Sequence, residues 1–243
     1  MAGHSKFKNI QHRKGAQDKK RSIIFGNLIK AIKVASRLGT DSATNHVLRT
    51  AINNARKANV PKEKIETAIT STAEMTDYEE VRYEAYAPHG IALVIEAITD
   101  NRNRTAAEIR GILNKKNGSL ASAGSVAYLF AHLGLLVYRN LESDTLFEAA
   151  LDAGASDFES SASEQLIFCS IADLGKINDK LTASLGQEAN FCRLVWRPKD
   201  KIELDDDKRQ AVLELISSLK DNADVQYVDS NLFIPDHEAK DDI

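Results

Sequence analysis

At 243 residues, with 43% hydrophobic and 28% charged side chains, the chain can bury two or three compact cores, and its longest strong apolar run, Ile91 to Ile95, falls far short of the roughly 20 residues that span a bilayer. The two cysteines, Cys169 and Cys192, are too few and too far apart for a disulfide scaffold or a thiolate metal site, so a reducing cytoplasm and two packed thiols are expected. The formal net charge of −3 hides a division: residues 1–70 hold 15 Lys and Arg against four acids, a net of +11, while residues 71–243 hold 17 against 31, a net of −14.

The chain opens with a basic arm, in which Lys6, Lys8, Arg13, Lys14, Lys19, Lys20 and Arg21 face one acid, Asp18. Gly3, Gly15 and the scarcity of apolar side chains predict that residues 1 to about 16 are mobile until bound. From Ile23 onward the pattern turns helical. Phe25, Leu28, Ile29, Ile32 and Ala35 recur at three- and four-residue steps as one apolar stripe, and Lys30, Lys33 and Arg37 share another face. The same lysines interrupt the apolar stretch that a secretory signal would need. A second helix is predicted from about Thr44 to Ala58, with Leu48, Ala51, Ile52 and Ala55 inward and Arg49 and Arg56, seven apart, outward. Pro61 suits the first turn of a third helix, with Ile65, Ala68 and Ile69 inward, which ends in the polar stretch Ser71 to Asp77. Residues 1–78 therefore read as an all-helical module.

The period then changes to two. Val81, Tyr83 and Ala85 alternate with Arg82 and Glu84, and Pro88-His89-Gly90 turns the chain into the apolar run Ile91 to Ile98. A helix from about Thr105 to Lys116 closes at Asn117-Gly118, and strand-like stretches follow at Val126 to Ala131 and Leu135 to Arg139. Between them, "GSLASAGS" (118–125) is expected to be a mobile connecting loop. Residues 134–197 carry a complete order of strand (135–138), helix (145–153), strand (157–160), strand (166–171), helix (174–185) and strand (191–196), the βαββαβ of a ferredoxin-like unit. Residues 79–133 and 198–243, with a helix at about 206–219 and a last strand near 226–233, would complete a second ferredoxin-like α/β domain interrupted by the first; a simple tandem is the alternative. The predicted class is α+β, in three domains.

Enzyme signatures are missing. No two of the 12 glycines are separated by one residue or lie four apart, which removes the GxGxxG dinucleotide loop and the GxSxG nucleophile elbow, and neither GxxxxGK[ST] nor HExxH occurs. The six histidines are scattered, and His4 with His12 belongs more readily to the basic arm than to a metal pair. No catalytic residue, cofactor or metal is expected.

Binding chemistry is present. Lys6, Lys8, Arg13, Lys14, Lys19, Lys20, Arg21, Lys30, Lys33, Arg37, Arg49, Arg56 and Lys57 form a module whose excess of cations over acids suits a polyanion, because neutralised phosphates release counterions. A polyanion such as nucleic acid is the expected partner, and no membrane is. In "TDNRNRT" (99–105), Arg102 and Arg104 flank a predicted helix N-terminus; a second anion site and an ordinary helix cap with surface arginines both fit that pattern.

Four blocks, "AGHSKFKNIQHRKGAQDKKR", "NHVLRTAINNARKANVPKEKI", "YEEVRYEAYAPHGIALVIEAITDNRNRT" and "GSVAYLF", resemble the YebC/PmpR family over nearly the whole chain. The resemblance implies a three-domain cytoplasmic protein with a helical N-terminal module and two α/β domains. The family includes probable DNA-binding transcriptional regulators and a mitochondrial translational activator of a cytochrome c oxidase subunit, and some members are linked to the ribosome and to translation through proline-rich stretches. For this chain that implies regulation of gene expression, through DNA or on the ribosome, where basic ribosomal proteins would be further partners. The sequence departs from the family pattern at Phe7, where Trp is common, and in the loop 118–124, which usually carries more glycine.

Overall fold

The computed structural model describes the backbone of residues 3–71, 77–161 and 163–235 and the side chains from residue 17 onward. Three helices come first: α1 (Gly3–Ser36), α2 (His46–Lys57) and α3 (Lys62–Thr70). They close on a core of Leu28, Ile32 and Ala35 from α1, Leu48, Ile52 and Ala55 from α2, and Ile65 and Ala68 from α3. Asn45 fixes the α1–α2 corner: its side-chain oxygen accepts from the Leu48 amide at 3.0 Å, capping α2, and its amide donates to the Ala35 and Gly39 carbonyls. α1 differs from expectation. The helix predicted to begin at Ile23 starts at Gly3 and runs 34 residues, so the arm read as mobile is the first half of one helix. The sequence permits this, because Lys, Arg, Gln and Ala propagate a helix well and a single glycine does not end one.

The remainder builds two four-stranded antiparallel sheets. β1 (Glu79–Tyr86) and β2 (Ala92–Thr99) form a hairpin through the turn at Pro88–Gly90, where His89 takes a left-handed conformation at φ 64°. α4 (Arg102–Lys115) leads to the short β3 (Ser119–Leu120), and α7 (Asp206–Lys220) leads to β8 (Val225–Ser230). The strand order is β3-β1-β2-β8. Ile109 and Leu113 of α4 and Val212, Leu215 and Leu219 of α7 pack on one sheet face against Tyr83, Leu93 and Ile95.

Between β3 and α7 the chain inserts β4 (Phe130–Tyr138), α5 (Ser143–Ala153), β5 (Asp157–Ser160), β6 (Gln165–Cys169), α6 (Leu174–Leu185) and β7 (Phe191–Pro198). Their order β5-β6-β4-β7 is that of a ferredoxin-like unit. The order of the first sheet differs, because its central pair is the β1–β2 hairpin. β4 is a single strand where two were expected, the residues from Val126 to Leu129 being a turn. Gly134 stands in mid-strand because a Cβ there would lie 2.8 Å from both Cys169 Sγ and a Leu174 methyl; the glycine marks a close approach. Cys169 and Cys192 are both buried and free, and burial pushes their thiols up to about 11 and about 12.

The two sheets meet through ionic and aromatic contacts. Arg193 of β7 grips Asp229 of β8 with both terminal nitrogens, at 3.1 and 2.6 Å. Trp196 donates its backbone N–H to Asp229 and its indole N–H to Glu96, and it lies between the His132 ring, stacked at 4.2 Å, and the Arg82 guanidinium, at 4.6 Å.

The loop expected to be mobile is anchored by a residue that sequence alternation had marked as an outward strand position. Glu84 is buried, and its carboxylate accepts from the backbone N–H groups of Gly124, Val126 and Ala127 at 2.8, 2.7 and 2.9 Å. Burial acts to raise the Glu84 pKa, but the three donors outweigh it and hold the group below its ordinary value. Its contribution to stability is therefore present above the unfolded-state pKa and is lost as pH falls through the depressed folded value. Glu84→Ala leaves three donors without their acceptor and is expected to destabilise the fold by about 3 kcal/mol. Urea unfolding checks the loss, and hydrogen exchange should show faster opening confined at first to residues 121–127.

Candidate nucleic-acid interface

The cations read as one class separate into two when their surroundings are traced. Lys30 is not available to a phosphate. Its ammonium donates to the Asp224 carboxylate at 2.7 Å and to the carbonyls of Ala223 and Ile98 at 2.8 and 3.3 Å, with only 16% of the side chain exposed. Arg37 donates to the Tyr78 carbonyl at 2.6 Å. Arg49 donates to both oxygens of Asp179 on α6, at 2.8 and 2.7 Å, and touches His46. These three hold the helical module to the two sheets. They are helped by Asn27, which donates to the Val225 carbonyl, and by Asn54, whose amide donates to the Cys192 carbonyl at 2.6 Å and accepts from the Cys192 N–H at 3.1 Å.

The second set points outward. Lys19 and Lys20 are exposed on α1, and Arg56 and Lys57 are exposed at the C-terminal end of α2, where cations also favour the helix dipole. Arg21 is exposed and lies 5.1 Å from the centre of the Phe25 ring. Lys33 is half-buried and faces α3, lining a groove with Lys64. The side chains of Lys6, Lys8, Arg13 and Lys14 lie outside the described residues, as do those of Phe7, His4 and His12.

At residues 99–105 the helix cap is formed and Arg104 turns onto carboxylates of the fold itself. Asn101 caps α4 by accepting from the Arg104 N–H at 3.0 Å, and Arg104 donates to Asp100 at 2.7 Å and to Asp224 at 2.8 Å. Thr99 and Thr105 donate their hydroxyls to the same Asp224 oxygen, at 3.1 and 2.7 Å. Arg102 is exposed, and its carbonyl accepts from the Tyr83 hydroxyl. Burial would raise the Asp224 pKa, but Lys30, Arg104 and Thr105 hold it well below the carboxylate range.

Sequence reasoning missed Asp224, Asp179 and Asn54. Asp224 lies in a polar turn, "DNAD", and nothing local distinguishes it from a solvated acid. Among the described residues, no group of three or more His, Cys, Asp and Glu could hold a metal ion, and no helix is long and apolar enough to cross a membrane.

The fold is a basic helical module clamped onto two antiparallel sheets. The chain belongs to the TACO1/YebC family: residues 5–74 match the model of the TACO1/YebC N-terminal domain, and residues 78–232 that of the TACO1/YebC second and third domain. A solved structure similar to it is that of Aq1575, a conserved hypothetical protein from Aquifex aeolicus, at 35% identity and a TM-score of 0.84, covering 91% of this chain and 93% of that one.

The division of the cations is testable by stability. Asp224→Ala strands the half-buried Lys30 ammonium and is expected to cost about 3 kcal/mol, measured as a fall in the urea midpoint. Lys19→Glu with Lys20→Glu, at exposed positions, is expected to leave that midpoint within about 0.5 kcal/mol of the native value.

Proposed function

We propose that this protein is a non-enzymatic, nucleic-acid-binding regulator of gene expression that engages its target through the outward cations of the N-terminal helices. One observation carries the reading. With Lys30, Arg37 and Arg49 engaged in holding the module in place, Lys19, Lys20, Arg21, Arg56 and Lys57 remain on its surface, in a module of net +11 joined to a body of net −14. A field of one sign over one module attracts phosphate there and repels it elsewhere. The transcriptional-regulator name of the family model that covers residues 78–232 supports DNA and the control of transcription as the first form of this function.

A second form, binding of ribosomal RNA to regulate translation, is favoured by the acidic surface. Asp144, Glu148 and Asp152 on α5 and Asp207 at the start of α7 are exposed. Such a surface suits a particle that offers both phosphate and basic proteins. It is the alternative that fits a cytoplasmic protein bound to ribosomes.

Lys19→Glu with Lys20→Glu is expected to weaken binding to a labelled oligonucleotide at low salt and to flatten the plot of log affinity against log salt by up to about 0.9 for each phosphate that is no longer neutralised. Unchanged affinity and slope would sink the proposal. Sedimentation of cell lysate, with and without nuclease, separates the two forms: retention on chromosomal DNA supports transcription, and migration with ribosomal particles that the double variant loses supports translation.

A further inference from the structure

An open groove runs between α1 and α3, with Phe25 and Ile29 on one side and Thr67 and Ala68 on the other. Gly26 faces into it. A Cβ at this position would meet nothing within 4 Å, so packing does not require the glycine, although a mid-helix glycine weakens α1 relative to alanine. What the glycine provides is room beside an aromatic ring.

The charges around the groove are of both signs. Arg21, Lys33 and Lys64 line it, and the Arg21 guanidinium lies 5.1 Å from the centre of the Phe25 ring. Asp18 and Glu63 line it as well. A ligand that offered only phosphates, such as the outside of a duplex, would gain from the three cations and be repelled by the two carboxylates. An unpaired base fits both sets. Its edge carries N–H donors that a carboxylate accepts, its face stacks on an aromatic ring or a guanidinium plane, and its flanking phosphates meet Lys and Arg.

We propose that the α1–α3 groove holds an unpaired base of a single-stranded nucleic acid, seated beside Phe25 in the space left by Gly26, with Asp18 and Glu63 accepting from the base edge. Arg21, Lys33 and Lys64 take the flanking phosphates. The inference rests on the function proposed above and narrows it: the target is single-stranded, or is opened locally where the protein sits.

The test uses the full chain and fluorescence anisotropy with a short labelled RNA, DNA of the same sequence, and the duplex of each. The native protein is expected to bind the single strands more tightly than the duplexes. Gly26→Leu fills the groove without touching the core and replaces glycine with a better helix former, so the variant should fold. It is expected to lose about tenfold in affinity for the single strands, the value of one stacked base, and to leave duplex binding unchanged. A 2-aminopurine placed in the strand should be quenched by the native chain and not by the variant. Loss on RNA alone, or on RNA and DNA alike, supports the proposal. If Gly26→Leu keeps its thermal midpoint and binds single strands as tightly as the native chain, the groove is not a base site. If Lys19→Glu with Lys20→Glu still weakens binding in that case, the wider nucleic-acid reading survives the loss of the narrower one.

Discussion

The Asp224 carboxylate sits at the turn between α7 and β8, where only 9% of its side chain reaches solvent, and it draws Lys30 from α1, Arg104 from α4 and the hydroxyls of Thr99 and Thr105 onto one point. A carboxylate this far from water persists as an ion only when its lone pairs are met by donors, and here four donors meet them. Their consequence reaches beyond local stability. Because one donor is a lysine of α1, satisfying Asp224 also sets where the first helix lies against the first sheet. On the other side of the module, Asn54 of α2 exchanges two hydrogen bonds with the backbone of β7, and Arg49 pairs with Asp179 of α6. The helical module is thus fixed at each sheet by an ion pair and an amide contact together, and the direction of its outward cations follows from those two attachments.

Charge in this protein therefore does two kinds of work that a count cannot separate. Lys30, Arg37 and Arg49 act as internal fasteners, since their partners are fixed groups of the fold and their energies depend on burial. Lys19, Lys20, Arg56 and Lys57 stand in solvent, where their attraction to a polyanion is set by ionic strength. The acidic body contributes to both, because it supplies Asp179 and Asp224 as fasteners and leaves Asp144, Glu148 and Asp152 exposed on α5. The groove between α1 and α3 adds a third element, an aromatic side chain with charges of both signs around it. Cations on a surface suit any phosphate chain, whereas a groove of that composition suits a base that has left its stack.

Much of the fold was legible in the sequence because it follows from period. The apolar stripe of α2, the alternation of β1 and the βαββαβ order of the inserted unit all lie in short windows, and a local pattern records which face will be buried. The misreadings share a cause, which is that local cues were interpreted without the partner that gives them meaning. Gly134 fell between two predicted strands, but it lies inside a single one, where it admits Cys169 and Leu174 to close approach. Glu84 looked like a solvent-facing strand residue, but it is buried under the backbone of a loop 40 positions away. The glycine- and serine-rich loop looked mobile because its composition says nothing about an acceptor supplied elsewhere.

The candidate site divides along the same line. By itself the sequence determined that residues 1–70 carry a surplus of cations and the rest a surplus of acids, because net charge is a sum and does not depend on where the chain goes. Only the tertiary structure decided which cations are tied to the fold and which stay exposed, because each fastener pairs residues far apart in sequence: 130 positions for Arg49 and Asp179, and 194 for Lys30 and Asp224. The groove at Gly26 is likewise a product of two helices brought together, and neither helix contains it alone. Amphipathic pattern specifies what each element buries, but ion pairs and concave surfaces are made between elements, and the range of a sequence pattern ends where one element ends.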